Sequence, residues 1–230
     1  RYTERLMNAV QKELRLDRQP RHIECFDNSN LQGAHPVASC VVFRDGKPSR
    51  KEYRHFNIKT VTGADDYASM REVVFRRYTR LMAEGAEMPD LIIADGGKGQ
   101  MGVIHEVLER LGLDIPIAGL AKDDRHRTAE LLCGFPPVLV GIRPTSPLFH
   151  FLAHIQEEVH RFAVSFHRQK RSKAFIHSEL EQIEGVGDKT VQTLLRHFRT
   201  VEKVRAANIE ELSALVGAAK AKKIRAFFEK

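Results

Sequence analysis

Cysteine is scarce in this sequence: Cys25, Cys40 and Cys133 are three among 230 residues. They show no Cys-x-x-Cys spacing and an odd number cannot all pair. This argues against a disulfide scaffold or a zinc ribbon and fits buried structural thiols in a reducing compartment. Long apolar runs are lacking too. None approaches the roughly 20 residues of a membrane-spanning helix, and the opening "RYTERLMNAVQKELRLD" is charged throughout. Neither a transmembrane helix nor a signal peptide is expected, so the expected location is cytoplasmic, with no membrane partner. The phosphate-loop pattern is missing as well: Gln100 follows "GGKG" where Ser or Thr is needed, and no earlier glycine stands at the required distance. That disfavours an NTP-binding protein.

What is present is the composition of a globular protein, 42% hydrophobic and 29% charged. The net charge of +7 is localised. Residues 1–160 hold 22 Lys and Arg against 22 Asp and Glu, whereas residues 161–230 hold 15 against 8. A basic segment attracts polyanions through counterion release, which makes nucleic acid the leading partner class; a basic domain without such a partner is the competing reading.

Periodicity divides the chain. Leu6, Val10 and Leu14 predict a short amphipathic helix before Pro20, and "HIECFD" begins a strand. "PVASCVVFRDGKPSRKEYRHFNIK" reads as two strands about an Asp45-Gly46 turn. From Asp65 the spacing of Tyr67, Met70, Val73, Tyr78 and Leu81 is helical. "LIIAD" reads as a buried strand, "MGVIHEVLERLG" as a helix closing on Gly112, "IPIAGLAK" as another buried strand, and "TAELLCGFPPVLVGI" as a hairpin. A long helical pattern runs from Pro147 to about Ala174 and turns basic at its end. Three antiparallel strands, a helix, then alternating strands and helices is the order of an α/β, RNase H-like mixed sheet; a doubly wound nucleotide-binding fold would not start with a hairpin. The last segment repeats a plan of helix, glycine turn and helix, at Gly185-x-Gly187 and again at Gly217, which predicts a small all-α tandem helix-hairpin-helix. The expected domains are 1–174 and 175–230.

Asp27 and Asp95 end two strands that this order makes parallel neighbours. Paired carboxylates repel unless a divalent cation that prefers oxygen ligands, Mg²⁺ or Mn²⁺, sits between them. Such a metal activates water for attack on a phosphodiester. A strand-end Asp taken alone is more often a turn or cap residue. The glycines after Asp95 permit a sharp turn, and Lys98 with the following helix amides can receive phosphate oxygens. His160 shares a helical face with Phe149, Leu152 or Ala153, and Gln156. It is either a satisfied core or surface group, or a third partner that ligates metal or moves a proton. Lys122 ends the "IAGLAK" strand, to meet phosphate or simply solvent, and Glu72 is a weaker carboxylate candidate. In the hairpins, Gly185, Gly187 and Gly217 leave helix amides free, and Lys189 and Lys220 add charge for gripping DNA backbone without reading sequence; packing alone is the alternative. Arg168, Lys170 and Arg171 lie in a basic run that either contacts phosphates or is a solvated face.

Together "IECFDNSN", "VASCVVF", "YRHFNIK", "DDYASMREV", "DLIIADGGKGQ", "GLAK", "HRFAVSFHRQKR" and "IEGVGDKTVQTLL" make nearly the whole chain resemble the C-terminal half of the UvrC family of bacterial nucleotide excision repair endonucleases. The resemblance implies an RNase H-like endonuclease domain with a tandem helix-hairpin-helix, cutting 5′ to a lesion. It implies Asp27, Asp95 and His160 as the catalytic and metal-binding set, Lys122 as the accompanying lysine, and Mg²⁺ or Mn²⁺ as cofactor. Damaged double-stranded DNA, and a UvrB–DNA complex in the whole protein, are the implied partners. Asn30 stands where the family usually has histidine, and Gln156-Glu157 where it commonly has Arg-Asp. The family's GIY-YIG nuclease and UvrB-contacting motif have no counterpart in these residues, so loading by UvrB is expected to be impaired. A non-catalytic DNA-binding scaffold and an endonuclease V-like nuclease are the alternatives.

Overall fold

The computed structural model describes residues 1–29, 36–61, 65–122 and 128–229, apart from the side chains of residues 29, 128, 129 and 167–178. Among these, eight strands form one mixed sheet. Helix α1 (Tyr2–Glu13) precedes β1 (His22–Ser29), β2 (Val37–Arg44) and β3 (Lys47–Pro48). β4 (Arg54–Asn57), α2 (Asp66–Ala83), β5 (Leu91–Ala94), α3 (Lys98–Leu111) and β6 (Ile117–Lys122) follow. β7 (Thr128–Cys133), β8 (Val138–Val140) and α4 (Pro147–Glu181) come next. The strand order is β3-β2-β1-β5-β6-β7-β8, with β4 also on β2. β1, β5 and β6 are parallel and every other pairing is antiparallel, which is the RNase H-like order expected from the sequence.

The β2–β3 turn is made by Asp45 and Gly46, both at positive φ (52° and 80°), the backbone of a two-residue hairpin. The second strand of that hairpin is not continuous, contrary to its sequence pattern. Pro48 has no N–H to extend the ladder, and Ser49 and Glu52 form a 3-10 turn (Arg50–Glu52) before β4 resumes pairing with β2. At the other end of the scale, α4 runs past Ala174, the end read from its sequence, to Glu181.

Alternation along the strands gives two apolar faces. Ile23, Cys25, Leu91, Ile93, Ala118 and Leu120 face α1 and the first half of α4, which contributes Leu148, Phe151, Leu152, Ile155 and Val159. Phe26, Ala38, Cys40, Ile92 and Ala94 face α2 and α3. Each fully buried aliphatic side chain here contributes about 1.5–3 kcal/mol. The three cysteines are unpaired, with Cys25 and Cys40 buried. No helix among the described residues is long and apolar enough to cross a membrane.

The chain divides into two compact units, Arg1–Phe166 and His167–Lys230. In the second, α5 (Asp188–Phe198), α6 (Val201–Ala206), α7 (Ile209–Val216) and α8 (Ala218–Phe228) close over Leu180, Val191, Leu194, Leu212 and Ile224. Helix α6 is not evident from the sequence pattern; its six residues are too few to show a period.

Candidate active site

The register of β1 and β5 pairs Phe26 with Ala94, and the amide of Asp95 donates to the Phe26 carbonyl at 3.2 Å. The next residues along, Asp27 and Asp95, therefore emerge side by side at the same strand ends. Both continue the alternation that aims Cys25 and Ile93 at α4. Asp95 keeps only 1% of its side chain exposed. Both of its oxygens have partners: Lys122 Nζ lies 3.2 Å from Oδ2, and Gln156 Nε2 donates to Oδ1 at 2.8 Å.

Asp27 is treated differently. No described donor reaches its carboxylate, and burial together with the Asp95 charge pushes its pKa from 3.8 up to about 7, against a lowering pull from Lys122. Asp66 adds to the upward push. The first turn of α2 is held at this strand end by Asn28 Nδ2, which donates to the Asp66 carbonyl at 2.7 Å. The site is thus a carboxylate pair in which one member is clamped and the other has no hydrogen-bond donor among the described residues. That is an environment a small divalent cation fits, because it would supply positive charge through oxygen ligands.

His160 does not join them. It is exposed, and among the described residues no three His, Cys, Asp or Glu side chains gather as a metal-holding group. The helix explains this. Leu152, Ile155 and Val159 form the buried stripe of α4; Gln156 sits at its margin, and His160, four residues on, lies roughly 40° further round at about 3.6 residues per turn. Glu72 is likewise elsewhere. Its carboxylate accepts the amides of Lys59 (2.9 Å) and Thr60 (2.6 Å) and pairs with Arg76 (3.1 Å), anchoring the segment between β4 and α2. Asn30 lies outside the described residues, and so do the side chains of Arg168, Lys170 and Arg171.

The glycines after Asp95 need no left-handed backbone, since Gly97 caps α3 at φ −94°. The close approach is made possible by Gly119 on β6: a Cβ there would stand 2.9 Å from the Gly96 carbonyl oxygen. Lys98 is exposed in the first turn of α3. In the second unit Gly185 (φ 80°) and Gly217 (φ 92°) take the positive φ that favours glycine, and Gly187 caps α5 at φ −96°. Lys189 is exposed in the first turn of α5, while Lys220 Nζ donates to Thr190 Oγ1 at 3.0 Å. Lys223, which has no motif to mark it in the sequence, has Nζ 3.0 Å from where a Gly185 Cβ would be.

The UvrC RNAse H endonuclease domain family matches residues 11–164. The chain belongs to this family. A second family, the SAM-like helix-hairpin-helix tandem, matches residues 178–230. The UvrABC system protein C of Bacteroides fragilis is 60% identical over 221 residues, covering 96% of this chain and 36% of that protein. The protein of the same name from Flavobacterium johnsoniae is 49% identical over 231 residues, covering 100% of this chain and 38% of that one. The chain therefore spans little more than a third of the curated relatives it matches. A solved structure of Ciona intestinalis endonuclease V with DNA shares 16% identity at a TM-score of 0.36 over 51% of this chain and 57% of that one, too slight a likeness to bear on function.

Proposed function

We propose that the chain is a metal-dependent endodeoxyribonuclease, the part of a nucleotide excision repair enzyme that hydrolyses one DNA strand on the 5′ side of a lesion. The observation that carries this reading is the Asp27–Asp95 pair in a chain of the UvrC endonuclease family: two carboxylates at adjacent parallel strand ends, one of them half-buried with no donor among the described residues. Asp27 and Asp95 would hold Mg²⁺ or Mn²⁺. When bound, the metal supplies a Lewis acid that lowers the pKa of a coordinated water and offsets charge on the phosphodiester.

The chain's own residues divide the remaining work. Lys122 and Gln156 fix the Asp95 carboxylate from both sides, so its position is set before substrate arrives. Lys98 and the exposed amides of the first turn of α3 are placed to receive phosphate oxygens. His160 is assigned proton transfer at the solvent side rather than ligation, consistent with its exposure. The hairpins at Gly185 and Gly217, with Lys189 and Lys223, grip DNA backbone without reading sequence. The partners are damaged double-stranded DNA and, in the whole protein, a UvrB–DNA complex; the location is the cytoplasm.

The test is nicking of supercoiled plasmid with Mn²⁺, Mg²⁺ or EDTA, followed by mapping of cuts on an end-labelled duplex carrying one defined lesion in the presence of the loading partner. Metal-dependent cuts on the 5′ side support the reading. Cuts on the 3′ side, or DNA bound without any cutting when the partner is present, contradict it.

A further inference from the structure

A cavity of about 360 Å³ opens between β4 and α2, on the sheet face opposite the Asp27–Asp95 pair, and four of its lining residues are Arg54, Arg76, Arg77 and Arg80. Each guanidinium carries five N–H donors. Arg77 spends Nε and Nη2 on the buried Glu24, at 3.0 and 2.8 Å. Arg54 spends only Nη1, on the carbonyls of Lys51 and Tyr53 at 3.0 and 2.8 Å. Arg76 spends only Nη1, on the Asn57 carbonyl at 2.7 Å and on Glu72 at 3.1 Å, and its guanidinium lies 5.5 Å from the Phe56 ring centroid. Arg80 spends Nε on Glu84 at 2.9 Å. Nε and Nη2 of Arg54 and Arg76, and both Nη groups of Arg80, have no acceptor among the described residues.

The charges do not cancel either. Arg77 is balanced by Glu24, Arg76 by Glu72 and Arg80 by Glu84, and the other lining carboxylate, Glu52, is taken by Arg44 through two hydrogen bonds at 2.9 and 2.8 Å. Among the described residues Arg54 is left with carbonyls alone. The guanidiniums of Arg54 and Arg76 are already oriented by backbone acceptors, so less side-chain freedom is lost when an anion arrives.

We propose that this cavity binds a backbone phosphate of the DNA on which the chain acts. The inference rests on the endonuclease reading above. Arginine forks match the oxygens of a phosphodiester. The ladders set Asp27 opposite Ser39 and Ser39 opposite His55. Strand β4 therefore lies two ladder spacings from β1, about 10 Å. Strand β4 is one wall of the cavity.

The test uses the whole chain and a fluorescent DNA duplex, with binding followed by anisotropy between 50 and 200 mM salt. Arg54→Gln and Arg80→Gln are each expected to weaken binding several-fold and to reduce the salt slope by about 0.9, the increment for one neutralised phosphate. Glu84→Gln, which frees Arg80, is expected to tighten binding, an effect that a merely structural role would not give. Thermal melts establish that each variant is folded. Unchanged slopes in both arginine variants overturn the proposal. So does perturbation of the cavity by inorganic phosphate or an acidic peptide without any change in DNA binding. Because binding is read without cutting, failure here is distinct from failure of the nuclease reading, which the plasmid assay decides.

Discussion

Glu24 and Asp27 stand three residues apart on β1 and face opposite sides of the sheet. Glu24 is wholly buried and saturated: His22 Nε2 lies at 2.8 Å, Arg77 donates twice, and Tyr78 Oη donates at 3.0 Å. Burial would raise its pKa, but the hydrogen bonds from His22 and Arg77 overcome that and lower it to about 2. Asp27 is only half-buried, receives no described donor, and is raised to about 7 by burial and the Asp95 charge. The same strand thus carries one carboxylate whose charge is balanced within the fold and one that no described donor reaches. The difference teaches where to look for function, because a partly buried charge without donors costs stability and persists where something outside the chain completes it.

The largest expected effect breaks the functional side. Asp95→Ala or Asp27→Ala lowers metal-dependent plasmid nicking by on the order of a hundredfold or more, with duplex binding retained in a gel-shift assay. Breaking the structural side comes next. Arg77→Ala leaves Glu24 buried with its main counter-charge gone and costs about 3–5 kcal/mol in urea unfolding.

The two carboxylates also respond to pH with opposite signs. The Glu24 contribution is present above its unfolded value of 4.5 and is lost as pH falls toward 2, amounting to about 3 kcal/mol. Asp27 contributes stability below its unfolded value of 3.8 that is lost as pH rises through about 7. Asp27→Asn is therefore expected to leave the melting temperature unchanged near pH 3 and to stabilise the chain by about 2–4 kcal/mol at pH 8. Equal shifts at both pH values would remove the distinction between the two carboxylates. The smallest effect falls in the second unit, where Gly185→Ala forces a side chain to φ 80°. It costs about 1–2 kcal/mol and weakens duplex binding, both measurable by melting and anisotropy.

Much of this was legible in the sequence, and particular residues show why. The apolar run of "LIIAD" and the Asp45-Gly46 turn report local geometry, so β5, the hairpin and the carboxylates at the strand ends could be placed without coordinates. The order of elements then made Asp27 and Asp95 neighbours. Partners chosen across long separations were not legible. Gln156 reaches Asp95 over 61 positions, and Arg77 reaches Glu24 over 53. Neither pairing has a periodic signature. His160 was placed on the correct helix, but its position relative to the buried stripe depends on how α4 seats against the sheet. Glu72 looked available because the amides that claim it, Lys59 and Thr60, belong to a loop whose course local pattern does not fix.

The most direct test of the central claim, that Asp27 is left bare to hold a divalent cation, is calorimetric titration of Mn²⁺ into the chain at pH 8 beside Asp27→Asn. The account predicts binding by the wild type that is lost in the variant. Equal Mn²⁺ binding by both proteins would contradict it.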